Sequence, residues 1–190
     1  MDVSFELMDV RVIPHCSWAT FELLERLVPF RQYTLRVYGQ EYPQPRLVCW
    51  YGPEDYTYSG LTLPAAPMPP LIEDLRARVS RAALCEFNSV LCNLYRDGRD
   101  SVSWHADDEP LFGGDPVVAS LSFGATRRFV LRSVADRHQK TDYYLKDGTL
   151  LIMGPGMQRD YQHALPKTSR PCGARINLTF RRVVPGFADL

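Results

Sequence analysis

Residues 101–115, SVSWHADDEPLFGGD, bring one histidine, His105, together with four carboxylates, Asp107, Asp108, Glu109 and Asp115. Adjacent acids among glycine and proline are also the composition of a solvated turn. The sharper reading rests on geometry: residues two apart on an extended strand share a face, so His105 and Asp107 can converge on one cation. That reading needs another ligand. The other histidines are His15, His138 and His163. His15 follows a proline near the N-terminus, and His138 sits in SVADRHQKTD, which reads as a solvated hairpin tip. His163, in DYQHALP, directly follows the strand-like GTLLIMG, and is the favoured partner. Two imidazoles and one carboxylate with open positions form the facial set of non-heme Fe(II) oxygenases. Spacing alone leaves a purely structural histidine an equal alternative.

A second pattern lies in RINLTFR, 175–181. Strand alternation puts Ile176, Leu178 and Phe180 on one face, an apolar core face, and Arg175, Asn177, Thr179 and Arg181 on the other. A polar row is normally solvated. Two guanidiniums on one strand also make a fork for a small dicarboxylate, each able to bind a carboxylate bidentately. Asn93 and Tyr95, again two apart, can add donors from the strand leading into the acidic run.

The elements that must position these residues are mostly extended. YTLRVYG, PRLVCWYG, FNSVLCNLY, PVVASLSFG, RRFVLRSV, GTLLIMG and RINLTFRRVV are short β-branched and aromatic runs, which predicts a sandwich or barrel. Helical spacing appears in SWATFELLERL (Phe21, Leu24, Leu27, Val28) and in LIEDLRARVSRA (Leu71, Leu75, Val79), the latter after the proline-rich LPAAPMPPL. A chain of 190 residues without a linker composition suits one domain. Lys plus Arg and Asp plus Glu both total 22, so any hold on a polyanion must come from local placement. The N-terminus lacks a basic, apolar leader, and no apolar run is long enough to span a membrane. Five cysteines without a Cys-x-x-Cys pair read as free thiols.

Taken together, NLY (93–95), SVSWHADDEP (101–110), VVASLSFGATRRFVLR (117–132), GTLLIMG (148–154), QHALP (162–166) and RINLTFR resemble the AlkB family, Fe(II)- and 2-oxoglutarate-dependent dioxygenases that remove alkyl groups from nucleic-acid bases. The likeness runs from about Val37 to Val183, and within the family it is similar to the DNA-repair homologues acting on duplex and single-stranded DNA. The resemblance implies a mainly β fold with flanking helices, a double-stranded β-helix or jelly roll, filling 1–190 as one domain. In it, 1–85 supplies supporting helices and a nucleotide-recognition lid. It implies His105, Asp107 and His163 as iron ligands, joined in the catalytic set by Arg181. It implies Asn93, Tyr95, Arg175, Asn177 and Arg181 as 2-oxoglutarate contacts, with Arg175 at the distal carboxylate. Tyr58 would stack on an extruded base, Glu109 would face that base, and Tyr38 would fill the gap the base leaves.

The implied reaction consumes O2 and 2-oxoglutarate and releases formaldehyde, succinate and CO2 while restoring bases such as 1-methyladenine and 3-methylcytosine. Substrate would be DNA, single strands favoured and duplex accepted; RNA, or an inactive nucleic-acid-binding module, are the alternatives. Phosphate contacts would come from among Arg96, Arg99, Arg127, Arg128, Arg132, Arg137, Lys140, Lys167 and Arg170. A monomer in the cytoplasm, or in the nucleus of a eukaryotic cell, is expected.

Overall fold

The computed structural model describes residues 5–8, 17–37, 39–184 and 186, so His15, Cys16 and Tyr38 lie outside the described residues. In chain order the elements are β1 (Phe5–Met8), α1 (Ser17–Leu27), β2 (Thr34–Val37), β3 (Gln40–Pro43), β4 (Leu47–Tyr51), β5 (Tyr56–Tyr58), β6 (Leu61–Leu63) and α2 (Pro70–Ala83). There follow β7 (Ser89–Tyr95), β8 (Val102–His105), β9 (Val118–Gly124), β10 (Arg127–Ser133), β11 (Lys140–Leu145), β12 (Leu150–Met153), α3 (Met157–Asp160), β13 (Tyr161–Leu165) and β14 (Arg175–Arg181). Every run read as extended contains a strand. The additional strands are short or polar, and two of them, β8 and β13, carry polar residues on a buried face, which hides the usual alternation.

Two antiparallel sheets face each other. The larger has the order β1-β12-β9-β14-β7-β4 and the smaller β11-β10-β13-β8. Their facing apolar residues meet in a cluster of Val118, Phe129, Leu131, Leu145, Leu151 and Met153, giving the jelly roll. Both helices cover the outer face of the larger sheet. Phe21 and Leu24 of α1, Val28 just after it, and Ile72, Leu75 and Val79 of α2 pack on Val90, Cys92, Leu121, Phe123, Ile176, Leu178 and Phe180. Each such large apolar side chain, fully buried, contributes roughly 1.5–3 kcal/mol. Leu27, expected in that stripe, is instead 43% exposed: it sits to the side of the stripe that Phe21, Leu24 and Val28 bury. α2 opens with Pro70 in its first turn, where a missing N–H leaves no bond unmade.

Register then fixes the interior. β14 lies between β7 and β9, setting Asn177 opposite Asn93 and Ser122, and Arg175 opposite Tyr95. In the smaller sheet His163 lies directly across from His105. Two hairpins, β2–β3 and β5–β6, stand apart from the sheets. The β5–β6 turn runs through Ser59 (φ 48°) and Gly60 (φ 75°), the left-handed pair that a two-residue hairpin turn requires. Among the described residues the cysteines are free, and no helix is long and apolar enough to cross a membrane.

Candidate metal and co-substrate site

The polar row of β14 does not face solvent. Arg175, Asn177, Thr179 and Arg181 are all buried, on the inner face of the larger sheet, opposite the face that packs on the helices. With Asn93 and Tyr95 of β7, Ser120 of β9, Phe129 of β10 and Leu165 of β13 they line a narrow chamber between the sheets. His105, Asp107 and His163 sit in its wall.

Among the described residues, those three form the one group of His, Cys, Asp or Glu whose ligand atoms all lie within 4.8 Å of one another. β8 and β13 deliver the two imidazoles from adjacent strands, and their ring centroids are 4.3 Å apart. Asp107 follows the end of β8, and its Oδ2 lies 3.6 Å from His163 Nε2. His105 Nδ1 lies 2.8 Å from the Ser103 carbonyl. A carbonyl only accepts, so Nδ1 carries the proton and Nε2 keeps its lone pair for a metal. His163 is stacked on Phe129 at 5.3 Å, and burial followed by the charge of His105 draws its pKa down to about 3, which keeps the ring neutral. For Asp107 burial pushes the pKa up, but the Arg181 guanidinium and the two imidazoles outweigh it and hold the carboxyl at about 2. Arg181 bonds Asp107 Oδ1, while Oδ2 is buried without a partner. Two imidazoles, that of His163 neutral, beside an ionised, half-satisfied carboxylate fit a divalent cation with nitrogen and oxygen preference.

The chamber also fits a dianion. Arg175 donates from Nη2 to Ser122 Oγ at 2.9 Å, but its Nε has no partner, and Arg181 is left with Nε and Nη1 unmatched. Burial lowers the Arg175 pKa to about 10, a stress that a bound carboxylate would relieve. Unsatisfied buried guanidinium nitrogens are costly, so a small acid bridging Arg175 and the metal side satisfies what the protein does not. Asn177 is engaged by Ser120 Oγ (2.7 Å) and Thr179 Oγ1 (2.8 Å), and Tyr95 lies under Arg175 with the ring centroid 5.4 Å away.

An open groove of about 480 Å³ adjoins the chamber and shares with it Arg46, Leu91, Val102, His105, Asp107 and Arg181. Tyr58 lines it, stacked 4.9 Å from Tyr56 and accepting a 2.8 Å bond from Gln44. Glu109 also lines it: Oε1 accepts from the Tyr56 hydroxyl at 2.7 Å, and Oε2 is buried without a partner. Burial raises the Glu109 pKa. Asp108 is exposed.

Sequence reasoning missed three residues here. Arg46, 8% exposed, donates to Asn93 Oδ1 at 2.9 Å from the position just before β4. Buried Gln158 accepts the Asp107 backbone N–H at 2.9 Å. Tyr56 lies behind Tyr58 and touches Glu109. Among the phosphate candidates, Arg127 is corrected: it is 2% exposed and donates to the carbonyls of Asp97, Asp100 and Pro166, a structural cross-brace. Arg96 is gripped bidentately by Asp100, Arg99 by Asp97 and Arg128 by Asp142.

Residues 16–181 match the family model of the 2OG-Fe(II) oxygenase superfamily. The human protein named alpha-ketoglutarate-dependent dioxygenase alkB homolog 3 is 45% identical over 182 residues, covering 91% of this chain and 63% of that protein. The mouse DNA oxidative demethylase ALKBH2 is 37% identical over 160 residues, 80% of this chain and 67% of that protein. The chain thus spans less than two thirds of the length of the alkB homolog 3 relative. The solved structure of OsALKBH1 shares the fold, with a TM-score of 0.68 at 18% identity, covering 96% of this chain and 99% of that one. The family match starts at the edge of α1 and ends on the last residue of β14, so it takes in every strand but β1, and the chain belongs to the AlkB family of this superfamily.

Proposed function

We propose that this protein is an Fe(II)- and 2-oxoglutarate-dependent dioxygenase that removes N-linked methyl groups from damaged bases in DNA, with single strands favoured over duplex. The observation that carries the reading is the junction of two unlike cavities. A narrow, arginine-rich chamber and a wider, tyrosine- and carboxylate-lined groove meet at His105, Asp107 and Arg181. A co-substrate acid and a base can therefore approach one metal from opposite sides.

In this reading His105, Asp107 and His163 hold Fe(II), and Arg175 binds the distal carboxylate of 2-oxoglutarate, with Asn93, Tyr95 and Asn177 shaping its bed. When bound, the iron and 2-oxoglutarate supply O2 activation: one oxygen goes to succinate as CO2 leaves, the other to the N-methyl carbon, and the hydroxymethyl product releases formaldehyde and the restored base. Arg181 orients Asp107 and balances its charge. Phe129 and Leu165 keep water from the chamber, where charges act more strongly than in water.

The groove supports the choice of substrate. Tyr58 gives an aromatic face opposite His105 for an extruded base, a mode of holding that does not depend on sequence. Glu109 is poorly solvated and half unpaired, so it favours a cationic partner. 1-Methyladenine and 3-methylcytosine are cations, whereas intact bases are neutral, and their blocked pairing lowers the cost of extrusion. Residues 1–85 contribute Leu35, Gln44, Tyr56, Tyr58 and Ser59 to this wall, which supports a lid role for the two hairpins. The protein would act as a monomer, in the cytoplasm or a eukaryotic nucleus.

The test is to load the protein with Fe(II) without oxygen, add 2-oxoglutarate and air, and follow methyl loss from 3-methylcytosine in single-stranded DNA, duplex DNA and RNA by mass spectrometry. Loss that disappears in His105→Ala supports the reading, and the three rates rank the substrates. Succinate without methyl loss keeps the iron and acid sites and removes the substrate assignment. No succinate removes the enzyme reading and favours a binding module.

A further inference from the structure

The nine basic residues that sequence alone left as equivalent phosphate candidates are not equivalent in the structure. Arg127 is buried, and Arg96, Arg99 and Arg128 are neutralised by acids. Arg132 and Lys140 differ in kind. They sit opposite each other on β10 and β11, and among the described residues neither forms an ion pair. Both lie over the same aromatic ring: the Arg132 guanidinium is 4.2 Å and the Lys140 ammonium 5.9 Å from the centroid of Trp104.

Trp104 is next to His105 on β8, so it faces the other side of the sheet, away from the chamber. Its half-buried ring nonetheless shares the rim of the open groove with Gln162, and Gln162 is the register partner of Arg132. Gln162 Oε1 accepts from both Nε (3.1 Å) and Nη2 (2.7 Å) of Arg132. The guanidinium is thus fixed from two directions, and among the described residues its Nη1 makes no hydrogen bond. A row Trp104–Gln162–Arg132–Lys140 crosses the outer face of the smaller sheet, starting at the groove mouth.

We propose that this row is a binding subsite for the sugar-phosphate backbone of the nucleotide next to the damaged base, with Arg132 and Lys140 contacting its phosphodiester. The inference rests on the groove's being a base-binding site, as proposed above, and names where the chain leaves it. Three observations carry it. Both cations lie over Trp104, a residue of the groove wall, and among the described residues neither is paired with an acid. The guanidinium is held in place before any ligand arrives, which reduces the ordering cost of binding. The groove wall also carries exposed Asp108 and the half-matched carboxylate of Glu109, whose charges repel a phosphate and favour the Trp104 side as the exit. A chain with no net charge has no broad field to hold a strand, so two placed cations account for a large share of its salt-dependent affinity.

The test compares the wild type with the Arg132→Gln, Lys140→Gln double variant and with Arg78→Gln, a surface control on α2. Binding of an undamaged single-stranded oligonucleotide is read by fluorescence anisotropy at graded salt. Demethylation is read on 3-methylcytosine in an oligonucleotide and as the free nucleoside. The double variant should bind the oligonucleotide about tenfold more weakly at low salt, with the slope of log Kd against log salt reduced by roughly 1.4. Its KM for the oligonucleotide should rise with kcat kept, and its kcat/KM for the nucleoside should match wild type. Unchanged oligonucleotide binding, or an equal loss on the nucleoside, overturns the subsite. If the wild type demethylates neither substrate, the functional reading fails, and the anisotropy series still decides whether the row holds a phosphate backbone.

Discussion

The two faces of β14 are equally buried and chemically opposite. On the outer face Ile176, Leu178 and Phe180 are fully enclosed by α1, α2 and the neighbouring strands, and every atom there is satisfied by contact. On the inner face Arg175 and Arg181 are enclosed to nearly the same degree and keep nitrogens that have no hydrogen-bond partner among the described residues. Burial alone therefore does not distinguish core from site; what does is whether the protein completes the bonding of what it buries. The outer face is finished by folding, and the inner face is left to be finished by ligands.

The largest effect that probes this contrast is removal of a metal-side residue. His105→Ala, on the inner side of the smaller sheet, should lower demethylation by at least about 10⁴-fold, because two remaining ligands do not hold iron in place. The thermal midpoint of the metal-free protein should change little, since His105 is only half-buried. A thermal shift assay beside the activity assay checks both. A large loss of stability would mean that the inner side is core after all.

Next in size is the outer face. Leu178→Ala should destabilise the protein by about 2–5 kcal/mol through lost burial and a cavity. For a chain of this size each kcal/mol lowers the melting temperature by roughly 2–4 °C. Activity per folded molecule, assayed well below the transition, should remain at the wild-type level. A selective rise in KM for 2-oxoglutarate at unchanged stability would reverse the assignment of the two faces.

This contrast was half legible in the sequence. The alternation in RINLTFR identifies two faces and one of them as core, because Ile, Leu and Phe at every second position have no solvated reading. The arginine face is ambiguous by the same rule, since a polar row on a strand normally faces water, and only the second sheet lying over it decides. The His105 and Asp107 spacing pointed to the right pair, although Asp107 lies past the end of β8, so strand alternation is not what brings it to the imidazoles. Arg127 was misread because a guanidinium that braces three carbonyls is spelled like one that meets phosphate. Arg46 and Tyr56 stayed hidden because their partners, Asn93 and Glu109, lie 47 and 53 residues away. Leu27 was grouped with the buried stripe but lies at its side, since Val28, one residue on, is buried and Leu27 is not.

Smaller but more discriminating is Arg175→Met. If the inner face is built for a ligand, replacing a buried, incompletely bonded guanidinium by an apolar chain of similar length should leave stability unchanged or raise it. The same change should raise the apparent KM for 2-oxoglutarate by roughly 100-fold, the loss of a bidentate charged contact worth about 2–3 kcal/mol. Succinate formation against 2-oxoglutarate concentration, alongside urea denaturation, measures both. Destabilisation with an unchanged KM would make Arg175 a structural brace like Arg127. Arg181→Met would not serve, because it strands Asp107 as a buried charge and mixes the two effects.

The finest test concerns a residue that belongs to neither face of β14 but governs how the inner one works. Gln158, from the short α3, is buried and accepts the backbone N–H of Asp107, while its own amide nitrogen lies 3.8 Å from Met153 Sδ. It touches the loop that carries the carboxylate, not the carboxylate itself, so it is a positioning residue. Gln158→Leu keeps the volume and removes the acceptor, leaving a buried N–H unpaired and freeing Asp107 to drift from the two imidazoles. Metal affinity, measured by calorimetry with Mn(II) in place of Fe(II), should fall by about tenfold, at the lower end of what such supporting bonds provide. Gln158→Glu retains an oxygen acceptor on the same stem and should recover most of the affinity. A merely structural glutamine would lower stability in both variants without separating their metal affinities, whereas a positioning one separates them, because Glu restores the acceptor for the Asp107 N–H and Leu does not.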